Sequence, residues 1–314
     1  MRLILGSGRS GTTWVLDALA DANALRPVFE PLHPDVTGRI GRRYANRRLD
    51  PGTKASELRE YLLEIDRGWR GSLWTDYRFR KDKLWRDRAG RFDWLAPGYR
   101  LRSLAANVRA FRAARRRRPT LIKCIRANLM TDWLAAAFDA RMLLVVRHPC
   151  AVLDSKLRLG RAWDPAPVLA RYRADPALAA VLGRPYRHLL ARPLGDAAAH
   201  ALVWCIENAL PLELGLHERC RVVHFEELTG PDAPAAWRAA TDWLELERVP
   251  EMDALRRPSA MSSLRWRSVA PSTDLNRGWR ARLPRIAIDD TERVLAAVGC
   301  TLYSVDDDRP QRAA

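Results

Sequence analysis

The sequence predicts an α/β chain built on a mostly parallel, doubly wound sheet flanked by helices, and three observations carry that expectation. Five short apolar runs, 2–5, 26–29, 120–124, 141–146 and 220–225, have the length and composition of strands buried on both faces. Between them, segments 11–22, 127–138, 149–159, 197–217, 233–245 and 287–298 carry apolar residues three and four apart, the helical period. The resulting strand-then-helix alternation is the pattern that covers a parallel sheet with helices. The first run, Arg2-Leu3-Ile4-Leu5, breaks at Gly6, Gly8 and Gly11 before the apolar positions Val15, Leu16, Leu19 and Ala20, which reads as strand, glycine-rich turn, helix. In such sheets ligands sit beyond the carboxyl ends of the strands.

Two stretches interrupt the rhythm: 34–118, rich in Arg, Trp, Pro and Gly, and 160–196, with repeated Pro and Arg. They are expected to be insertions that cap the active face of one domain spanning 1–305, with 306–314 a frayed tail. The 314 residues are 47% apolar and 29% charged, enough to fill a core and too apolar for a disordered chain. The five cysteines are widely spaced, with no C-x-x-C pair or Cys/His cluster, and read as reduced thiols rather than a zinc site. The opening run stops at Gly6, too soon for a signal peptide, and no run approaches the ~18 apolar residues of a membrane span. A soluble, cytoplasmic protein is the expectation.

Charge is the unusual quantity. The 54 basic residues against 37 acidic ones give +17, and 49 of the basic residues are arginine. A polyanionic partner explains this excess, and so does an arginine-rich composition that merely solvates helix faces.

Gly6-Ser7-Gly8-Arg9-Ser10-Gly11-Thr12-Thr13-Trp14 follows a strand and opens a helix, so backbone N–H groups and the helix N-terminus converge on one point suited to an anion. The spacing Gly6 to Gly11 matches the nucleotide-triphosphatase loop G-x-x-x-x-G-K-[ST], but Thr12 stands where that loop has its lysine and the cation comes earlier, at Arg9. A loop without that lysine suits a metal-free anion cradle better than Mg²⁺-dependent phosphoryl transfer. Further along, Arg147 closes a strand, Pro149 takes an early helical position and Ser155 follows about two turns later. A guanidinium fork and a hydroxyl at this spacing suit a phosphate monoester.

Together these residues resemble the sulfotransferases that use 3′-phosphoadenosine-5′-phosphosulfate (PAPS), whose 5′-phosphosulfate loop reads [KR]-S-G-T-T-W, as Arg9 to Trp14 do, and whose 3′-phosphate motif reads R-x-P-x(5)-S, as Arg147, Pro149 and Ser155 do. Phe29-Glu30-Pro31-Leu32-His33-Pro34 resembles the F-E-P-L segment of the carbohydrate 6-O-sulfotransferase branch, as does Lys123-Cys124-Ile125-Arg126. Trp204-x-x-x-Asn208 and Phe225-Glu226-Glu227-Leu228 are similar to further family landmarks, and Asn276-Arg277-Gly278-Trp279-Arg280 faintly echoes the cofactor-packing R-K-G-x-x-G-D-W-K of the cytosolic branch. That branch's histidine base has no matching context in this chain, so no histidine inherits its role.

The resemblance implies a P-loop-like fold and PAPS as sulfuryl donor with no metal. It implies that Gly8, Arg9, Ser10, Gly11, Thr12 and Thr13 hold the 5′-phosphosulfate, with Arg9 nearest the leaving oxygen. Trp14 would stack on adenine, and Arg147 with Ser155 would bind the 3′-phosphate. Lys123, at a strand end, is a second candidate cation. Glu30, at a strand end facing the same cleft, is the carboxylate placed to take the acceptor's proton, with His33 as the alternative base. Arg126 either contacts the acceptor or braces the cleft, and His224 lies in a core strand.

The segment 66–100 interleaves Trp69, Trp74, Tyr77, Phe79, Trp85, Phe92, Trp94 and Tyr99 with arginines, a pattern that suits stacking on sugars and gripping an anionic glycan or glycolipid. The same pattern equally describes an amphipathic lid. The expected reaction is transfer to a hydroxyl of a carbohydrate, with a lipid or small-molecule alcohol as the alternative acceptor. A P-loop kinase and a nucleic-acid-binding module are more remote readings; the second leaves Arg147 to Ser155 unexplained.

Overall fold

The computed structural model describes residues 1–71, 119–215, 218–255 and 275–311, together with Thr75, Val108 and Arg112. Its centre is the expected sheet of strands β1 (Arg2–Leu5), β2 (Arg26–Phe29), β3 (Thr120–Lys123), β4 (Arg141–Val146) and β5 (Cys220–His224), all parallel, in the order β2-β3-β1-β4-β5. The first strand is therefore central; the chain goes from it to the β2 edge, returns to β3, and then crosses β1 to β4 and β5. Leu3 is level with Ile122 on one side and Met142 on the other, so the ends of β1, β3 and β4 open together at one edge of the sheet. This is the switch point where a doubly wound sheet leaves a crevice.

Alternation along the strands divides the core into two layers. Leu3, Leu5, Ile122, Met142, Leu144 and Val146 face the layer of helices Ser56–Arg67, Thr131–Phe138 and Asp196–Trp204. Ile4, Leu121, Leu143 and Val145 face the layer of helices Thr12–Ala22 and Ala233–Trp243, into which Trp237 is fully buried. A third cluster joins Cys150, Ala151 and Leu153 of helix Pro149–Leu157 to Trp279, Leu283, Ala287 and Ile288 near the C-terminus.

The interrupting stretches divide differently from the expectation. Helix Ser56–Arg67 buries Leu58, Tyr61, Leu62 and Ile65, an i, i+3, i+4, i+7 stripe, beneath the sheet rather than over the active face. The helices Ala166–Arg173, Pro176–Val181 and Arg184–Ala191 bury Leu169, Tyr172, Leu178 and Tyr186 in the main core, while Trp163, Asp164, Pro165 and Val168 of the same stretch line the cavity beside Gly8. The expected helix 197–217 is broken by a π turn over Cys205–Ala209. Residues 306–311, expected to fray, are tied down: Asp308 pairs with Arg277 at 2.6 Å and Arg280 at 2.8 Å, and Gln311 N–H donates to Leu302 O.

Of the aromatics read as an acceptor surface, Trp74, Tyr77, Phe79, Trp85, Phe92, Trp94 and Tyr99 lie outside the described residues. Trp69 is 73% exposed, with the Arg67 guanidinium 5.1 Å from its ring centre. Among the described residues no helix is long and apolar enough to cross a membrane.

Candidate active site

The glycines after β1 are each demanded by a close approach. Gly6 has φ +142°, and a Cβ there would lie 2.4 Å from Val145 O, so the chain runs flush against β4. Gly11 has φ +86°, where its Cβ would meet the Phe225 ring at 2.4 Å. At Gly8 a Cβ would fall 2.1 Å from the Trp163 ring. Arg9 is an L residue at φ +75°, a conformation that needs outside support. Its Nε donates to Ser155 Oγ at 2.9 Å and its carbonyl accepts from Arg147 at 3.2 Å. The two sequence motifs thus meet directly.

Arg147 leaves β4 between several neighbours. Its guanidinium lies 4.3 Å from the Phe225 ring centre and donates to Leu275 O at 2.7 Å, while its buried Nε has no hydrogen-bond partner. Pro149 opens the helix as expected, and the His148 ring nitrogen caps it by accepting from Cys150 N–H. His148 N–H in turn donates to Glu226 Oε1 at 3.0 Å, and Glu226 Oε2 accepts from Tyr303 O–H at 2.7 Å. His224 Nδ1, half-buried at the end of the edge strand β5, lies 2.9 Å from the same Tyr303 hydroxyl.

The candidate base arises from the pairing of β2 with β3, which sets Phe29 level with Lys123 and brings Glu30 beside the ammonium. Glu30 Oε1 accepts from Lys123 Nζ at 2.5 Å and Ile125 N–H at 3.1 Å, and Oε2 accepts from Arg126 at 2.6 Å. Burial alone pushes the Glu30 carboxyl up, but Lys123 and Arg126 outweigh it and hold the group below the usual carboxylate range. Lys123 is itself lowered, burial outweighing the Glu30 charge. Arg126 braces the cleft through this pair. His33 Nδ1 caps the turn Pro34–Thr37 by accepting from Asp35 N–H, and burial, then the Arg126 charge, lower its pKa so that the ring is neutral near pH 7.

These groups open on one cavity of about 490 Å³, whose wall includes Gly8, Arg9, Gly11, Thr12, Thr13 and Trp14 of the loop, then Glu30, His33, Lys123, Arg126 and Arg147. Ser10 departs from the expectation: it is fully buried and its hydroxyl bonds the Ser7 hydroxyl at 2.7 Å, bracing the loop from behind instead of facing the cavity. Ser155 also stands behind the wall and reaches it through Arg9. Trp14 is fixed by an N–H bond to Leu255 O and edge contacts to Phe225 and Trp237. Arg277 and Arg280 are spent on Asp308 and take no part in the wall. Residues that sequence reasoning did not single out also line it, among them Lys156, Trp163, His200 and Glu207. The one available signal was Lys156, directly after Ser155 in a chain with only five lysines.

No family model and no curated protein matches the chain. Among solved structures it is similar to the sulfotransferase domain from the curacin biosynthetic pathway, at 14% identity and TM-score 0.46, covering 95% of this chain and 97% of that one. It is also similar to the sulfotransferase domain of the Synechococcus PCC 7002 olefin synthase, at 20% identity and TM-score 0.42, covering 95% and 94%. Sulfotransferase STF9 from Mycobacterium avium matches at 14% identity and TM-score 0.32, covering 78% and 63%. The strand order and the loop geometry together establish an α/β fold whose central strand ends in a glycine-rich, arginine-bearing turn.

Proposed function

We propose that this protein is a PAPS-dependent O-sulfotransferase that acts on a hydroxyl acceptor, a carbohydrate by the likeness of Phe29 to Leu32 to that branch. The observation that carries the reading is the meeting of Arg9 with Ser155 and Arg147, two motifs 138 residues apart, with Arg9 and Arg147 lining one cavity and Ser155 holding Arg9 from behind. An anion fits the residues present: Arg147 Nε is buried and unpartnered, and Arg9, Thr12 and Thr13 of the loop line the same cavity. Thr12 in place of the phosphate-loop lysine disfavours a kinase.

The donor supplies the sulfuryl group: an acceptor O–S bond forms as the bridging S–O bond breaks, its electron pair leaving with adenosine 3′,5′-bisphosphate. Arg9, held by Ser155, neutralises charge growing on the leaving oxygen, and Lys123 faces the sulfonate oxygens. Glu30 accepts the acceptor's proton. Both its oxygens are bonded to cations, so this role requires Lys123 or Arg126 to yield one to an incoming anion. A loose transition state loses the proton late, and a weak carboxylate base then suffices. His33 is the alternative: turnover retained in Glu30→Gln but lost in His33→Ala would move the role to the histidine.

The direct test is calorimetric titration of adenosine 3′,5′-bisphosphate against ADP, with and without Mg²⁺, on wild type and Arg147→Ala. Selective, metal-independent binding lost in the variant is expected. Binding of ADP only with Mg²⁺, or of neither nucleotide, overturns the reading.

A further inference from the structure

The cavity wall carries a second buried cation that neither motif accounts for. Lys156 belongs to helix Pro149–Leu157, its side chain is 4% exposed, and among the described residues no side chain hydrogen-bonds its ammonium. The Trp163 ring centre lies 5.8 Å from Nζ. Burying an ammonium is costly unless a counter-charge meets it. The carboxylate that faces it, Glu207, lies beyond ion-pair contact and is itself raised by burial, which favours its neutral form. Glu207 comes from the π turn; its Oε1 accepts from Tyr172 O–H at 3.2 Å and its Oε2 is buried with no partner. The remaining near charge is Arg9, which repels the ammonium, and the neighbouring His200 is held neutral, its pKa lowered to about 4 by burial and then by Lys156.

The wall as a whole sets Arg9, Lys123, Arg126, Arg147 and Lys156 against Glu30, Glu207 and Asp164. Sheet order decides where these cations stand. β1 delivers Arg9 at the centre, its neighbour β3 delivers Lys123 from one side, and its other neighbour β4 delivers Lys156 through the helix that follows it. An anion at the Arg9 loop is therefore flanked by a lysine on either side.

We propose that Lys156 is a further catalytic cation, its ammonium contacting the non-bridging oxygens of the sulfuryl group opposite Lys123, with Glu207 as the positioning residue beneath it. This assignment rests on the PAPS reading above. Adenosine 3′,5′-bisphosphate has the donor's phosphates but no sulfuryl group, so the two ligands separate the roles without need of an acceptor.

The experiment is calorimetric titration of PAPS and of adenosine 3′,5′-bisphosphate into wild type, Lys156→Met and Lys156→Arg. Lys156→Met is expected to weaken PAPS by about tenfold or more, the scale of one charge-assisted hydrogen bond, and to leave the bisphosphate within about twofold. Lys156→Arg, which keeps the charge, should recover part of the loss. Retained bisphosphate binding also reports that each variant is folded. Equal weakening of both ligands, or of neither, in Lys156→Met overturns the assignment alone. If Lys156→Met does not fold, Lys156→Arg decides: PAPS and bisphosphate changed in parallel overturns the assignment. Wild type that binds neither nucleotide overturns the PAPS reading and this assignment with it.

Discussion

Replacing Glu30 by glutamine should destabilise the fold as well as stop turnover, because among the described residues its carboxylate is the only anion within contact of the buried Lys123. Removing one partner of a buried ion pair costs ~3–5 kcal/mol, since the other charge is left without compensation. Glutamine keeps one carbonyl oxygen that can accept from Ile125 N–H or Lys123, which returns about 1 kcal/mol. The net expectation is a loss of ~2–4 kcal/mol at pH 7, read from equilibrium unfolding in guanidinium chloride. Coupling sharpens the test: Lys123→Met removes the stranded ammonium, so the double variant should be less destabilised than the sum of the singles by ~1–2 kcal/mol. The pH dependence has a fixed sign. A carboxyl lowered in the fold contributes stability above its unfolded pKa of about 4.3 and loses it as pH falls through the lower folded value, so the gap between wild type and Glu30→Gln should close on acidification. A Glu30→Gln protein within about 0.5 kcal/mol of wild type, or strict additivity with Lys123→Met, refutes the buried-pair account.

Two further outcomes follow from the geometry. Gly8→Ala drives a methyl into the Trp163 ring and should cost ~1–3 kcal/mol while weakening bisphosphate binding, whereas Gly52→Ala, whose methyl meets open space, should stay within about 0.5 kcal/mol; equal effects in thermal unfolding and calorimetry would contradict the close approach. His148, stacked on Trp279 at 4.7 Å, has its pKa lowered to about 4 by burial. The unfolded chain takes up that proton near pH 6.5 and the folded one does not, so wild type should lose about 3 kcal/mol between pH 6.5 and 4. His148→Gln should remove most of that slope, and an unchanged slope would show that the loss arises elsewhere.

The strands were legible because a covered parallel strand writes itself as a short, mostly apolar run; each of the five runs became a strand, the edge strand β5 leaving Arg221 exposed. Their order was not, since nothing in Leu3-Ile4-Leu5 says that Ile122 and Met142 lie on either side of it. The loop and the Arg147 to Ser155 motif were readable as local patterns, down to Pro149 opening its helix. Ser10 was misplaced because a tripeptide pattern does not say which way a hydroxyl turns, and Ser7 offered it a buried partner. Lys156, Trp163 and Glu207 reach the cavity only through tertiary packing, Glu207 through a π turn that shifts the helix's facing by one residue. The supposed caps carried the same helical stripe as the core helices, and arginine-rich composition concealed it at Leu58, Tyr61, Leu62 and Ile65.

Phe225 is not part of the cavity wall, yet one of its faces limits how near Gly11 can come, and Arg147 and Trp14 rest on the same ring. In the proposed reading, the ring is a gauge block between the Gly11 turn and the Arg147 guanidinium. Its thickness sets the span that a ligand must bridge, so ruler and reader are different residues. A smaller side chain there would take away the surface on which Arg147 and Trp14 rest, and with it the fixed distance between them and the Gly11 turn.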